Sequence, residues 1–170
     1  KSLVALGAHA LSLSRGLRSV YTAPVKALVN EKFFALCEAF GPKRVGLVTG
    51  DGSVNSDAQV ICCTAEILAN WAALRGDDTP FDTIVVDEFH FYGDGERGMA
   101  WQLPLLEVPH AQFLLMSATL GDTQRIRDAL VARSARPCAW VNHKERPVPL
   151  RFAYVEENAQ ALLGRLAEEN

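Results

Sequence analysis

The stretch Thr83–His90, TIVVDEFH, decides the fold, because an apolar run ends abruptly there on two adjacent carboxylates. Ile84, Val85 and Val86 are β-branched and consecutive, which is typical of a strand buried on both faces of a parallel sheet. The carboxylates then fall just past the C-terminal end of the strand. Ligands of open α/β sheets bind at that edge, so the stretch predicts an α/β fold with a site after this strand.

Asp87 and Glu88 are the candidate functional residues at this strand end. Asp87 can hold a hard cation directly or through water, and Glu88 can orient and deprotonate an attacking water. This pattern indicates a magnesium–nucleotide site. The alternative is that both side chains only solvate the end of a strand, and the two carboxylates by themselves leave that interpretation open.

Length, charge and cysteine content narrow the class of protein. A chain of 170 residues is one ordinary domain. The net charge of −3 argues mildly against nucleic acid as a partner, because nucleic-acid-binding proteins usually carry a basic patch. The four cysteines show no C-x-x-C spacing, which predicts reduced thiols and a cytoplasmic location. No apolar run approaches the roughly 20 residues that span a bilayer, so no membrane partner is expected.

The apolar periodicity predicts strands that alternate with helices. Helices are expected over Leu3–Ser14, between Pro24 and Gly41, between Thr64 and Gly76, over Met99–Leu106 with Pro104 as a kink or end, and over Gly121–Arg133. Besides the central strand, strands are expected at Arg18–Ala23, Val45–Thr49, Val60–Cys63, Phe113–Met116 and Cys138–Val141. Residues 50–53 are expected to form a loop, and Thr64 to cap the helix that follows it. This order predicts a mostly parallel sheet with helices on both faces.

Two motifs at predicted strand ends resemble those of superfamily 2 nucleic-acid helicases. DEFH at Asp87–His90 is similar to their Walker B element, and SAT at Ser117–Thr119 is similar to their coupling motif. Ser117 and Thr119 could instead only cap the following helix.

Three further motifs are similar to loops with which that superfamily grips the backbone of a single strand. They are TAPVKALVNEK at Thr22–Lys32, TGD at Thr49–Asp51 and CTAEIL at Cys63–Leu68. DGERG at Asp94–Gly98 and RPVPL at Arg146–Leu150 resemble in particular the DExH-box RNA helicases related to the exosome-associated motors. Any one of these motifs is weak evidence, but five of them in the right order are hard to obtain by chance.

The resemblance implies a RecA-like P-loop NTPase domain that is the first motor domain of an ATP-dependent helicase. The helicase would use ATP with Mg²⁺ and act on single-stranded nucleic acid, RNA being favoured over DNA. Lys1 would contact the phosphates, and Ser2 would ligate the metal together with Asp87. Glu88 would activate water, and His90 would link the nucleotide to the nucleic acid. Ser117 and Thr119 would transmit the nucleotide state. The implied nucleic-acid contacts are Pro24, Lys26, Thr49, Gly50, Asp51, Thr64 and Glu66.

The sequence departs from the superfamily pattern at its start, where Lys1-Ser2 stands without the glycines of a phosphate loop. We therefore expect residues 1–148 to be a first motor domain truncated in that loop, and residues 149–170 to be a linker and the start of a second one. The partner of the domain would be the second motor domain of the same parent chain. The fragment alone is expected to be a weak or inactive ATPase.

Other functions remain open from the sequence. A catalytically inactive RNA-binding scaffold is disfavoured by the intact DEFH motif, and a small-molecule kinase by SAT and TGD. A DNA translocase of the same superfamily is not excluded. Lys26 could also belong to a solvated helix face, and Lys1 and Ser2 could be no more than a polar terminus.

Overall fold

The computed structural model describes residues 1–118 and 120–142, which form parts of two compact units, Lys1–Cys138 and 139–170. The first unit contains the sheet and its helices. Thr119, the RPVPL motif and the predicted boundary between residues 148 and 149 lie outside the described residues. Those predictions therefore stay predictions.

The first unit alternates strands and helices along the chain. The strands are β1 Ser19–Ala23, β2 Val45–Thr49, β3 Gly52–Val54, β4 Val60–Thr64, β5 Thr83–Val86 and β6 Gln112–Leu115. The helices are α1 Ser2–Ser14, α2 Lys26–Phe40, α3 Ala65–Arg75, α4 Gly98–Glu107 and α5 Gln124–Ser134. None of the helices within the described ranges is both long and apolar enough to cross a membrane.

The strands form one six-stranded sheet in the order β3-β2-β4-β1-β5-β6. Every neighbouring pair is parallel except β2 and β3, which are antiparallel. The predicted mostly parallel α/β fold is thus confirmed. The prediction of a loop over residues 50–53 is wrong in part, because Gly52 and Ser53 belong to β3 and only Gly50 and Asp51 form the turn.

The sheet is covered by helices on both faces, as predicted. Side chains alternate along β1, so Val20 packs into the core beneath α3 and α4, while Tyr21 and Ala23 pack into the core beneath α1 and α2. Residues 83–86 of β5 are all buried, and Ile84 and Val85 join opposite cores. The continuous apolar run was therefore a correct signal for a strand buried on both faces.

Four details differ from the sequence predictions. No strand forms over Cys138–Val141, and α5 begins at Gln124 rather than Gly121. Pro104, predicted as a kink or end, lies inside α4, so the predicted end is wrong and the kink stays a prediction. Thr64 occupies the residue before α3 but makes no capping hydrogen bond with its side chain.

Candidate nucleotide-binding and nucleic-acid-binding site

The DEFH segment is held between the two strands that flank β5. The backbone N–H of Asp87 donates to the carbonyl oxygen of Thr22 on β1 at 2.9 Å. The N–H of Phe89 donates to the carbonyl of Met116, just after β6, at 2.9 Å, and the Phe89 side chain is only 1% exposed. Both carboxylates therefore leave the sheet from a backbone anchored on either side.

Glu88 adopts a left-handed backbone conformation, with φ 51° and ψ 44°. This region is uncommon for a residue with a side chain, and such residues cluster at functional sites. The Glu88 N–H donates to Oδ1 of Asp87 at 2.9 Å, and Oε2 of Glu88 lies 3.2 Å from Nδ1 of His90. The structure thus brings together the three residues predicted for catalysis, and it pairs Glu88 with His90.

Tyr21 is a site residue that the sequence analysis missed. Its hydroxyl donates to Oδ2 of Asp87 at 2.6 Å, and its side chain is 1% exposed. Burial raises the pKa of Tyr21 well above its usual range, and the hydrogen bond to Asp87 raises it further. The strand order is the feature that could have identified Tyr21 as a site residue. Tyr21 of β1 is in register with Val85 of β5, two residues before Asp87.

Ser2 connects to the same group of residues through Lys32 of α2. The Lys32 ammonium donates to Oγ of Ser2 at 3.2 Å and lies 5.6 Å from the centre of the Tyr21 ring. Ser2 and Asp87, the two residues predicted to ligate magnesium, are therefore linked by a continuous series of contacts. Lys1 directly precedes α1, and its carbonyl accepts the N–H groups of Val4 and Ala5.

Two of the predicted nucleic-acid loops meet through an ion pair. Nζ of Lys26, at the start of α2, lies 2.6 Å from Oδ2 of Asp51 in the turn between β2 and β3. The side chains are 50% and 77% exposed, so the pair is solvent-screened and weak. Thr49 and Gly50 lie in the same hairpin end, and the Thr49 hydroxyl accepts the N–H of Asp51 at 3.4 Å.

A second link joins the other predicted nucleic-acid residues, and it comes from Arg97 in the DGERG motif. Nη2 of Arg97 donates to the Pro24 carbonyl and to Oε1 of Glu66, both at 2.6 Å, and Nε donates to the same Glu66 oxygen at 3.2 Å. Burial favours a higher pKa for Glu66, but its hydrogen bonds, chiefly from Arg97, outweigh this and lower the pKa.

The turn that carries Arg97 is itself ordered by local hydrogen bonds. Oδ1 of Asp94 accepts the N–H groups of Glu96 at 2.9 Å and of Arg97 at 2.7 Å. A side chain at Gly98 would place its Cβ 2.6 Å from the Tyr92 carbonyl oxygen, so only glycine fits there. The DGERG motif therefore has a structural role in ordering this turn. The sequence alone had marked the motif only as a sign of the family branch.

Comparison with known proteins decides the family. Residues 1–126 match the DEAD/DEAH box helicase family. The chain belongs to that family. It is 34% identical over 155 residues to the antiviral helicase SKI2 of Saccharomyces cerevisiae, and 35% identical over 154 residues to the ATP-dependent RNA helicase mtr4 of Schizosaccharomyces pombe. Each alignment covers 89% of this chain, but only 12% of SKI2 and 14% of mtr4.

The fold of this DEAD/DEAH box helicase domain also matches solved structures. The helicase domain of Hef from Pyrococcus furiosus superposes with a TM-score of 0.60 at 22% identity, covering 79% of this chain and 31% of that one. This likeness confirms the predicted RecA-like fold. The helicase family predicted from the motifs is confirmed by the match of residues 1–126 to the DEAD/DEAH box helicase family.

The SAT motif of this helicase domain follows β6, which pairs with β5. The N–H of Met116 donates to the Val86 carbonyl at 2.8 Å, so the strand end before Ser117 is tied to the strand end before Asp87. The role of Ser117 and Thr119 in transmitting the nucleotide state stays a prediction, and Thr119 lies outside the described residues.

The residues predicted to hold magnesium suit this cation. Mg²⁺ prefers oxygen donors and is usually bound through one or two protein side chains, with substrate phosphates and water completing the shell. Asp87 offers a carboxylate whose two oxygens each accept one hydrogen bond. Ser2 offers a hydroxyl, and the contacts through Lys32 and Tyr21 place it in the same neighbourhood.

Proposed function

We propose that this chain supplies the ATP-binding first motor domain of an ATP-dependent RNA helicase. The observation that carries the proposal is the anchored DEFH segment at the end of β5, with Asp87 held by Tyr21 and Glu88 directed to His90. Hydrolysis needs this separation of roles, in which one carboxylate holds the metal and the other acts on water.

The roles of the remaining residues follow from their places at the same edge of the sheet. Ser2 would complete the metal ligands and Lys1 would bind the outer phosphates. Mg²⁺, when bound with ATP, supplies the charge that neutralises the transferring phosphoryl group. Glu88 would take the proton of the attacking water, and His90, within hydrogen-bonding reach of Glu88, would orient that carboxylate.

We assign the binding of single-stranded nucleic acid to two groups of loops. One group is joined by the ion pair of Lys26 and Asp51, and the other by the hydrogen bonds of Arg97. Pro24, Glu66 and Thr64 lie at the starts of α2 and α3, where backbone N–H groups can bind phosphate oxygens. Lys26, Thr49, Gly50 and Asp51 lie around the neighbouring turn. The Lys26 ammonium would exchange Asp51 for a phosphate group at small cost, because their pair is exposed.

RNA is favoured over DNA because mtr4 is named as an RNA helicase. We further propose that a second motor domain of the same protein closes on the strand and that the protein acts in the cytoplasm.

The full-length protein should hydrolyse ATP with Mg²⁺ faster in the presence of single-stranded RNA than with single-stranded DNA of the same sequence. Steady-state hydrolysis with both strands is the measurement. RNA binding without any hydrolysis would favour the inactive scaffold, and stronger stimulation by DNA would favour the DNA translocase.

A further inference from the structure

Tyr21 occupies a position between the two residues assigned to magnesium. Its hydroxyl donates to Asp87 at 2.6 Å, and the Lys32 ammonium that lies over its ring also donates to Ser2. The ring itself is buried in the core beneath α1 and α2. Tyr21 is thus fixed by packing on one side and directed at a functional carboxylate on the other.

The hydrogen bonds of Asp87 define the plane of its carboxylate. Oδ1 accepts the Glu88 N–H at 2.9 Å, and Oδ2 accepts the Tyr21 hydroxyl. Each carboxylate oxygen has two lone pairs, so each retains one for a cation or for a water bound to it. Of these two hydrogen bonds between described residues, the one from the adjacent backbone would remain to restrain rotation of the carboxylate if the Tyr21 hydroxyl were removed.

We propose that Tyr21 is a positioning residue that holds the Asp87 carboxylate in the orientation that binds Mg²⁺ together with nucleotide. This rests on the proposed function of Asp87. Tyr21 touches neither metal nor substrate in this scheme, and it acts through Asp87. Groups that orient a metal ligand typically change metal affinity by about 10-fold to 100-fold when they are lost.

The variant Tyr21→Phe removes a single oxygen and keeps the packed ring. In the full-length protein, ADP is titrated calorimetrically at a series of free Mg²⁺ concentrations and again in EDTA. We expect the Mg²⁺ concentration for half-maximal gain in ADP affinity to rise by about 10-fold, while ADP affinity in EDTA stays unchanged. Tyr92→Phe is the matched control, because the Tyr92 ring packs against Phe89. It should behave as the wild type.

A double-mutant cycle separates positioning from a purely structural effect. If Tyr21 acts through Asp87, then Tyr21→Phe should add nothing to the Mg²⁺ dependence in an Asp87→Asn background. An unchanged or lower Mg²⁺ requirement in Tyr21→Phe, or an equal shift in both backgrounds, overturns the inference. A wild-type protein whose ADP affinity ignores Mg²⁺ instead overturns the proposed function of Asp87.

Discussion

Replacing Arg97 should lower the free energy of unfolding more than replacing its partner Glu66. Arg97 donates to both the Glu66 carboxylate and the Pro24 carbonyl, whereas Glu66→Gln leaves the second contact in place. The variants Arg97→Met and Glu66→Gln therefore distinguish the ion pair from the whole link between the DGERG motif and the starts of α2 and α3.

The expected magnitudes follow from exposure. The Arg97 and Glu66 side chains are 38% and 49% exposed, so their pair should be worth about 0.5–1 kcal/mol. The Pro24 carbonyl accepts a charge-assisted bond in a partly buried position, which adds about 1–1.5 kcal/mol, at or below the lower end of the usual range. Arg97→Met should then cost roughly 1.5–2.5 kcal/mol, and Glu66→Gln about 0.5–1 kcal/mol.

Denaturant unfolding of the full-length protein and of the single and double variants measures these values as a cycle. The affinity for single-stranded RNA should fall by about threefold to tenfold in Arg97→Met, because binding must then order Pro24 and Glu66 at a cost of about 0.7–1.4 kcal/mol. Arg75→Met, an exposed arginine at the end of α3, is the control for loss of charge.

Equal destabilisation by Arg97→Met and Glu66→Gln would show that the Pro24 contact contributes nothing. A loss of RNA affinity in Arg75→Met as large as that in Arg97→Met would show that the loss comes from the change in net charge. Either result refutes the assignment of Arg97 as the link between these loops.

Two further predictions concern pH and coupling. Burial, and next the nearby charge of Lys32, lower the pKa of His9 to about 4, so the unfolded state binds the proton more readily. The free energy of unfolding should therefore fall as the pH drops from about 6.5 to 4, by about 3 kcal/mol, and His9→Gln should flatten this slope while His110→Gln retains it. The double variant Ser117→Ala with Thr119→Ala should leave ATP binding and much of the RNA-stimulated hydrolysis intact, while unwinding falls about tenfold or more. The reason is that two hydrogen bonds of about 1 kcal/mol each can bias a balanced equilibrium between two conformations. Hydrolysis and unwinding measured in parallel decide this, and a proportional fall in both would assign the motif to the chemical step.

Local sequence patterns predicted most of the fold, because the strands and helices that matter have strong local signals. β5 is a continuous β-branched run, and its end at Asp87 needs no tertiary information. β3 was missed because its three residues are all exposed at the sheet edge, so no burial pattern marks them. Cys138–Val141 was wrongly assigned, because a short apolar run is equally compatible with irregular structure.

The candidate site could be predicted only as far as its motifs reach. Asp87, Glu88 and His90 lie within four consecutive residues, and the structure brings them together as expected. Tyr21 is 66 residues from Asp87, and its role follows only when β1 and β5 are known to be neighbours. Arg97 is 73 residues from Pro24, and its contact depends on how the DGERG turn packs. Long-range contacts of this kind leave no periodic signal in one sequence.

The role of Glu88 as the base that activates water tests the central claim most directly. In the full-length protein, Glu88→Gln should lower RNA-stimulated ATP turnover by roughly 100-fold or more and leave ATP affinity nearly unchanged, because Glu88 acts on water and not on the bound nucleotide. Turnover and ATP affinity are measured on the same preparation. Normal turnover in Glu88→Gln would contradict the account.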